Sequence, residues 1–517
     1  MSKRLILVLA LAFVLGVSFA AYAEVQNVKV SGDLTVEGVA RDNFDLVKTP
    51  VMGATGIQNP TYDDKNRDIL SIIRVRVDAD LTDNVMTTVR LLNERNWNGE
   101  SQTPGQANRN IGLNTATTTN EDRIDIDLAY VTLKEFLYSP LSLTVGRQEL
   151  HFGNELIVGD PDTNIYSALT QLSEGDLSTR KAFDAVRATL DYNPLVVDAI
   201  YAKIQGGLAN QHDDVTLTGV NANYALNKNT TLEGFFFSKV TGTDAAEVYH
   251  VDTNNNTSFT GNTVSPLKMH ADQVHTIGAR VVDKTVKNLS VDAQVAYQFG
   301  TYNPKFDPNA RYLTAANSRD TAKRSAWAAQ AMATYDFKDV PVLSRYMSKY
   351  APSLSATYTF LSGADRNRIS DKAYKGWDPM FENQTIGHIM NAIFANTNMR
   401  RGSLSAKAKV TDDITANLAY AGAWFSKHYP DGTKAILSGV AGSSAATSGR
   451  QFVLAKAGYI GQELDATLTY DYTEDVQFSL LGGVFMPGKN IHGNLADNNN
   501  NNIASATELI GSMKVTF

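Results

Sequence analysis

From Val28 to the carboxy-terminus, apolar and polar residues alternate in run after run of strand length. Nowhere after Ala23 does the chain reach the roughly 18 consecutive apolar residues of a membrane-crossing helix. Period-two alternation gives each run one apolar and one polar face. Such strands either cover a soluble core or present their apolar face to lipid around a closed barrel.

The two ends of the chain fit the barrel. Leu509, Gly511, Met513, Val515 and Phe517 share a face, opposite Glu508, Ser512, Lys514 and Thr516, with Ile510 as the one apolar exception. A strand of this length and polarity spans a bilayer. Its aromatic carboxy-terminus resembles the terminal recognition signal of bacterial outer-membrane barrels. At the start, Val28, Val30, Gly32, Leu34, Val36 and Gly38 oppose Lys29, Ser31, Asp33, Thr35 and Glu37. This strand, Val28 to Ala40, is expected to pair with the last and remove both edges.

Residues 1–23 read as a secretory signal peptide, with Lys3 and Arg4, the apolar run Leu5 to Ala20, and the small-x-small site Ala21-Tyr22-Ala23. Residues 24–517 then form one barrel domain. Mean hydropathy is −0.23, ordinary for a barrel whose alternate residues face a polar lumen. The absence of cysteine excludes disulfides and thiol chemistry. Without Lys3 and Arg4 the 47 basic residues become 45 against 54 acidic ones. That acidic balance argues against a nucleic-acid partner.

One unit recurs: strand, tight turn, strand, long polar loop. Ile73 to Leu81 turns at Thr82-Asp83-Asn84 into Val85 to Leu91. Ile124, Ile126, Leu128 and Tyr130 alternate with Arg123, Asp125, Asp127 and Ala129, and the chain returns as Leu141 to Leu150. Phe183 to Tyr192 pairs with Leu195 to Gln205, Thr216 to Leu226 with Thr230 to Val240, and Gln273 to Val282 with Leu289 to Phe299. Trp327 to Phe337 leads to Leu354 to Leu361, Arg401 to Val410 to Ile414 to Phe425, and Val476 to Phe485 to the last strand. Lys338 to Tyr350 is long for a turn on the short side. Aromatics such as Tyr297, Phe299, Tyr335, Phe337, Tyr420, Trp424, Tyr470 and Tyr472 cluster at strand ends, as interfacial girdles do. Short turns on one side and long loops on the other predict an all-β, antiparallel transmembrane barrel with periplasmic turns and extracellular loops. Even closure requires merging Gln451 to Tyr472 into one strand bent at Gly461-Gln462-Glu463, which gives eighteen strands. Sixteen results if Thr216 to Val240 is a loop excursion.

With apolar faces toward lipid, the inward cations are Arg74, Arg76, Arg90, Arg123, Arg187, Arg401, Lys407, Lys409 and Lys456. Inward acids include Asp78, Asp80, Asp125, Asp127, Asp191, Asp465 and Asp471. Rings of Arg or Lys favour anions, and arginine suits carboxylates through paired hydrogen bonds. Interior arginines also form cross-strand ion pairs with such acids. Only His275 of the eight histidines falls within a strand, and no nucleophile–base or metal-ligand spacing is present. Neither an enzyme nor a cofactor site is expected. Asp160, Asp162, Asp213 and Asp214 are loop carboxylates that could meet calcium, and Asn498 to Asn502 reads as a loop tip.

Gly146-Arg147-Gln148, followed by Phe152-Gly153 and Val158-Gly159, resembles the alginate-export family of outer-membrane barrels. Phe183-Asp184-Ala185-Val186-Arg187, Gly376-Trp377-Asp378-Pro379-Met380-Phe381 and Gly461-Gln462-Glu463-Leu464-Asp465 fit the same resemblance. It implies a monomeric eighteen-stranded barrel whose arginine-lined constriction passes an anionic polysaccharide outward. Carried over, Arg147 and Arg187 line that constriction, and Arg74 and Arg76 match by position. Arg147 shares parity with Leu143 and Val145, and Asp184 with Val186 and Leu190. Pointing Arg147 inward therefore needs a bulge at Gly146, unless it lies above the bilayer at the strand's outer end. The expected partners are outer-membrane lipid, an anionic polysaccharide or small solute, and periplasmic export proteins that set direction. A porin for small-molecule uptake is the alternative, and a barrel enzyme a further one.

Overall fold

The computed structural model describes residues 27–44, 46, 65–97, 124–161, 175–205, 214–242, 271–302, 322–337, 349–364, 373–428, 433–436, 451–454, 458–488, 491–492 and 503–517. The proposed signal peptide, Arg123, Lys456, Asp162, Asp213 and the 498–502 patch lie outside the described residues.

Eighteen long strands close on themselves. They are β1 (Asn27–Asp42), β2 (Lys65–Thr82), β3 (Val85–Asn96), β4 (Asp125–Leu133), β5 (Leu141–Glu149) and β6 (Ala182–Asp191). Next come β7 (Leu195–Gln205), β8 (Val215–Asn227), β9 (Thr230–Thr241), β10 (Asp272–Asp283), β11 (Leu289–Tyr302) and β12 (Ala322–Asp336). The last six are β13 (Ser353–Leu361), β14 (Met399–Lys409), β15 (Ile414–Phe425), β16 (Tyr459–Asp471), β17 (Val476–Pro487) and β18 (Ala506–Thr516). Each pairs antiparallel with its sequence neighbours among them. The seam is β1 against β18, from Asp33↔Thr516 to Asp42↔Thr507. Phe517 extends it, exchanging backbone hydrogen bonds with Gly32 at 2.8 and 3.0 Å. The expected pairing of first and last strands is therefore present, and no barrel edge is open. Among the described residues no helix is long and apolar enough to cross a membrane, which says nothing of a barrel.

Outward faces follow the alternation. Val30, Val295, Leu404, Leu418 and Leu509 are all more than half exposed, as lipid-facing positions are. Ile510, the apolar exception in β18, points inward and is buried.

The expected count of eighteen holds and its alternative of sixteen falls away, but two other expectations need correcting. Gln451 to Tyr472 is not one strand: β16 begins at Tyr459, and Gln451–Leu454 pairs instead with Thr433–Ile436 and Ile491–His492 in a small separate sheet. β15 ends at Phe425, whose N–H donates to the Gly458 carbonyl at 2.6 Å, and no ladder between β15 and Gln451–Leu454 is present among the described residues. Val215–Asn227 and Thr230–Thr241 are both wall strands, so the count is eighteen and not sixteen. In β4 a register slip opposite Arg90/Leu91 turns Leu128 inward, where it is buried, and puts Tyr130 in register with inward Thr88. One extra residue in a strand reverses the facing of everything after it.

The buried apolar groups lie inside the mouth of the barrel, at its long-loop end. Loop segments fold in and pack against the inner faces of the strands. Phe152, Leu156, Ile157, Val158, Trp377, Met380 and Phe381 meet Phe183, Leu217, Phe235, Phe237, Val274 and Leu361. Ile386, Ile389, Met390, Ile393 and Phe394 meet Ala423, Phe425, Ile460 and Phe485. Leu177 covers Leu70, Ile72, Leu92 and Ile510.

Candidate functional site

The narrowed mouth is the candidate site. Two loops build it, residues 150–161 after β5 and 373–398 between β13 and β14. They are joined by backbone: Val158 and Phe381 form a parallel bridge. Gly159 and Asp160 N–H donate to the Phe381 carbonyl at 2.7 and 2.9 Å, and Phe381 N–H donates to Ile157 at 3.0 Å. Side chains repeat the lock, with Asn383 Nδ2 donating to Glu155 at 2.6 Å and Gln384 Nε2 to the Asn154 carbonyl at 2.9 Å.

The wall supplies a matching polar belt. Glu233, Arg280, Gln294, Gln330, Thr359 and Arg401 follow one another in register across β9 to β14. Gln330 anchors both loops, accepting from Asn154 at 2.5 Å and donating to Gln384 at 2.8 Å. Above it, Asp378 receives Lys239 Nζ at 2.7 Å, and its backbone exchanges hydrogen bonds with Gln298. Burial opposes the Asp378 charge, but Lys239 and Arg324 outweigh it and hold the carboxyl below its ordinary range. The short helix α1 (His388–Ile393) is pinned by Glu463, whose carboxylate accepts the Ile389 and Met390 N–H groups at 2.8 and 2.7 Å. Burial pushes the Glu382 carboxyl, in the same loop, upward.

Around the start of the first loop the arginines gather. Arg74 Nε meets Asp33 at 2.9 Å, and Arg76 meets Asp78 at 2.8 Å. Arg90, in register with Arg76, binds Asp127 and Glu149, both at 2.5 Å. Arg187 Nε binds Asp198 at 2.8 Å, and its guanidinium lies 5.5 Å from the Phe152 ring centre. Glu149 to Phe152 thus passes between Arg90 and Arg187. His151 adds pairs to Glu149 and Glu155, and the Glu149 hydrogen bond leads the effects that raise its pKa.

Arg401 and Arg147 are placed otherwise. Arg401 points inward but is 2% exposed beneath the second loop, and its Nε and Nη1 make no hydrogen bond. Arg147 does not enter the lumen. The register runs unbroken from Val145 through Gly146 to Arg147 on both neighbours, so no bulge re-aims it. It faces outward near the loop end and pairs with Asp184 at 3.3 Å.

Several lumen groups escaped the sequence reading. Arg41 lies just past the expected end of β1 at Ala40; it binds Glu508 at 2.6 Å and Asp176 at 2.7 Å. Arg324 precedes the expected start of β12 at Trp327, and it binds Asp272 at 3.0 Å. Arg280 lay within an expected strand, and parity with Gly278 and Val282 points it inward, to Asp292 at 2.8 Å. Of the loop carboxylates, Asp160 pairs with Lys181 and Asp214 with Lys203, and among the described residues no acid or histidine cluster could hold a metal ion. His275 faces outward, bonded to Ser238 at 2.8 Å and packed on Phe236 and Phe299.

The sequence of this barrel matches the alginate export family model across residues 55–505. The chain belongs to that family. Similar solved structures are Pseudomonas aeruginosa OccK8 (OprE), at 11% identity and TM-score 0.51, covering 95% of this chain and 98% of that one. OccK3 (OpdO) and OccK2 (OpdF) of the same organism have TM-scores of 0.50 at 10% and 9% identity; 95% of this chain aligns with 96% and 98% of theirs. At such identity the likeness concerns the fold. No curated protein matches the chain. Family and fold make this an outer-membrane channel, with turns toward the periplasm and long loops outside.

Proposed function

We propose that the channel passes a carboxylate-bearing solute by passive diffusion, in its most specific form the outward passage of an alginate-like exopolysaccharide. The observation that carries this is the open end of two lumen guanidiniums. Among the described residues, Arg74 and Arg187 use only Nε in their ion pairs, so their Nη groups stay free for a passing carboxylate. Arg76 and Arg187 keep 39% and 32% of their side chains exposed. A guanidinium already paired to an acid still offers donors but little net charge, so anion preference is modest and contacts are short-lived. Transport needs release as much as binding. The barrel works as a monomer, and periplasmic partners and the concentration gradient set direction.

Reversal potentials in planar bilayers under a salt gradient test this. Wild type favours anions, and Arg76→Gln with Arg187→Gln lowers the anion-to-cation permeability ratio. Cation preference that is indifferent to both substitutions refutes the reading.

The second reading is a porin for small-molecule uptake. It is favoured by the apolar lock of the two loops, which makes the mouth a fixed size filter. Vesicle-swelling rates for a monomeric uronate and for oligomers of increasing length separate the two readings. An enzyme fits least, because the one histidine placed within a strand by sequence faces lipid.

A further inference from the structure

The fold uses only two residues of the Gly146-Arg147-Gln148 motif. Gly146 has φ 126°, and a Cβ there would stand 2.2 Å from the Ala129 carbonyl oxygen. Gln148 points inward and donates to the Thr144, Gly146 and Ala185 carbonyls. Arg147 contributes to neither and stands on the outside. Its register partner is Asp184, whose own partner is Lys203. A charged row therefore crosses β5, β6 and β7 on the lipid side. Arg147 Nη1 reaches Asp184 at 3.3 Å and Lys203 Nζ reaches Asp214 at 3.0 Å, while the Asp184 side chain stays 63% exposed.

The height of this row decides what it meets. Below Asp184 the outward positions are Val186, Ala188, Leu190 and then Tyr192 at the turn end. The interval from Asp184 to Tyr192 equals that from Trp327 to Tyr335, which joins the two aromatic girdles on the other side of the barrel. It corresponds to about 27 Å of strand, or about 20 Å of height at a tilt of roughly 40°. Where β11 and β12 place Phe299 and Trp327, β5 to β7 place Arg147, Asp184 and Lys203, one outward position above the exposed ring of Tyr201. Charges on a lipid-facing surface are tolerated at this interfacial level and nowhere deeper.

We propose that this row is a docking site for a phosphate-bearing lipid headgroup of the outer, loop-side leaflet. Arg147 and Lys203 are two strands apart, about 10 Å, a separation that one bisphosphorylated headgroup bridges. Asp184 between them competes with the phosphate for Arg147. The Arg147–Asp184 bond is long for an ion pair, and a phosphate offers the guanidinium shorter, charge-assisted bonds.

The test is native mass spectrometry of the full-length folded barrel in detergent, titrated with bisphosphorylated lipid A and with its dephosphorylated form. Folding of each variant is confirmed by heat-modifiable gel migration. Wild type prefers the phosphorylated lipid, and Arg147→Gln with Lys203→Gln weakens its binding roughly thirtyfold, the scale expected for losing two headgroup cations. Asp184→Asn keeps both cations, leaves the Lys203–Asp214 pair in place, removes the competitor for Arg147 and tightens binding. A purely structural ion pair predicts instead that substitution from either side acts alike. Equal binding of the two lipids, unchanged binding by the double variant, or loss or no gain with Asp184→Asn overturns the proposal. If the double variant does not fold, Asp184→Asn decides alone.

Discussion

Phe381→Ala tests whether the mouth is held narrow by packing. Phe381 is 1% exposed, stands edge-on to Phe183 at 5.9 Å, and carries the backbone bridge to Val158. It belongs to no wall strand, so its truncation leaves the barrel's own hydrogen-bond ladder intact. Removing a buried phenylalanine side chain costs about 3–5 kcal/mol, here charged to loop docking. At 1.4 kcal/mol per decade, the undocked population rises between about 10² and about 4 × 10³-fold. Single-channel recordings in planar bilayers then show larger or fluctuating conductance, and limited proteolysis cuts residues 373–398 faster. Leu404→Ala, on an exposed outward position, serves as control and changes neither. Identical conductance, noise and cleavage in Phe381→Ala and wild type would refute the idea that apolar docking sets the width of the mouth.

Three further outcomes are expected. Arg90→Gln strands the buried Asp127 carboxylate, lowering stability by about 3–5 kcal/mol in urea titrations of bilayer-inserted protein; Arg90→Met with Asp127→Leu recovers most of it, and an unchanged midpoint in the single variant argues against the ion pair. His151 has a raised pKa through its hydrogen bond to Glu149 and its pairing with Glu155. Its hold on the first loop is therefore complete below its unfolded value near 6.5 and lost as pH rises through the raised folded value. Open-channel noise should grow on the alkaline side in wild type and stay flat with pH in His151→Gln. Gly146→Ala drives a Cβ into the β4 backbone at a φ that L-residues avoid, so the folded fraction on heat-modifiable gels drops sharply; normal folding shows that the strand can relax there.

The barrel was legible because lipid and lumen impose opposite polarity on successive residues, and the first and last strands display that without interruption. Closure then required an even count, which gave eighteen by the wrong join at Gln451 to Tyr472. Alternation cannot tell a wall strand from one in a loop sheet, since both pair by the same ladder. The lumen arginines on regular strands, Arg74, Arg76, Arg90 and Arg187, were found by parity alone. Arg147 was given to the lumen by family resemblance against its parity, and parity prevailed. Arg41 and Arg324 were missed because they stand beyond the stretch where alternation is clean. The loops that define the site were not legible, since their docking depends on contacts between segments far apart in sequence, such as Val158 with Phe381.

A trace of that docking is nevertheless written into the strands. Ile510 breaks the polar face of β18 and lies in the inner cluster with Leu70, Ile72 and Leu92. β2 carries Ile69, Leu70, Ile72 and Ile73 in its upper half, then alternates cleanly from Arg74 down. In β9, Phe235, Phe236 and Phe237 follow without a polar residue, with Phe236 toward lipid and the other two beneath the loops. A strand covered on both faces reads as a continuous apolar run, and one facing water on one side alternates. The point in each strand where alternation gives way therefore marks the lower edge of the inward loops. Applied to this wall, the rule separates an apolar upper ring that holds the mouth from a polar lower ring that faces water. It sets Arg74, Arg76 and Arg187 below that edge, while Arg401 is buried under the loops.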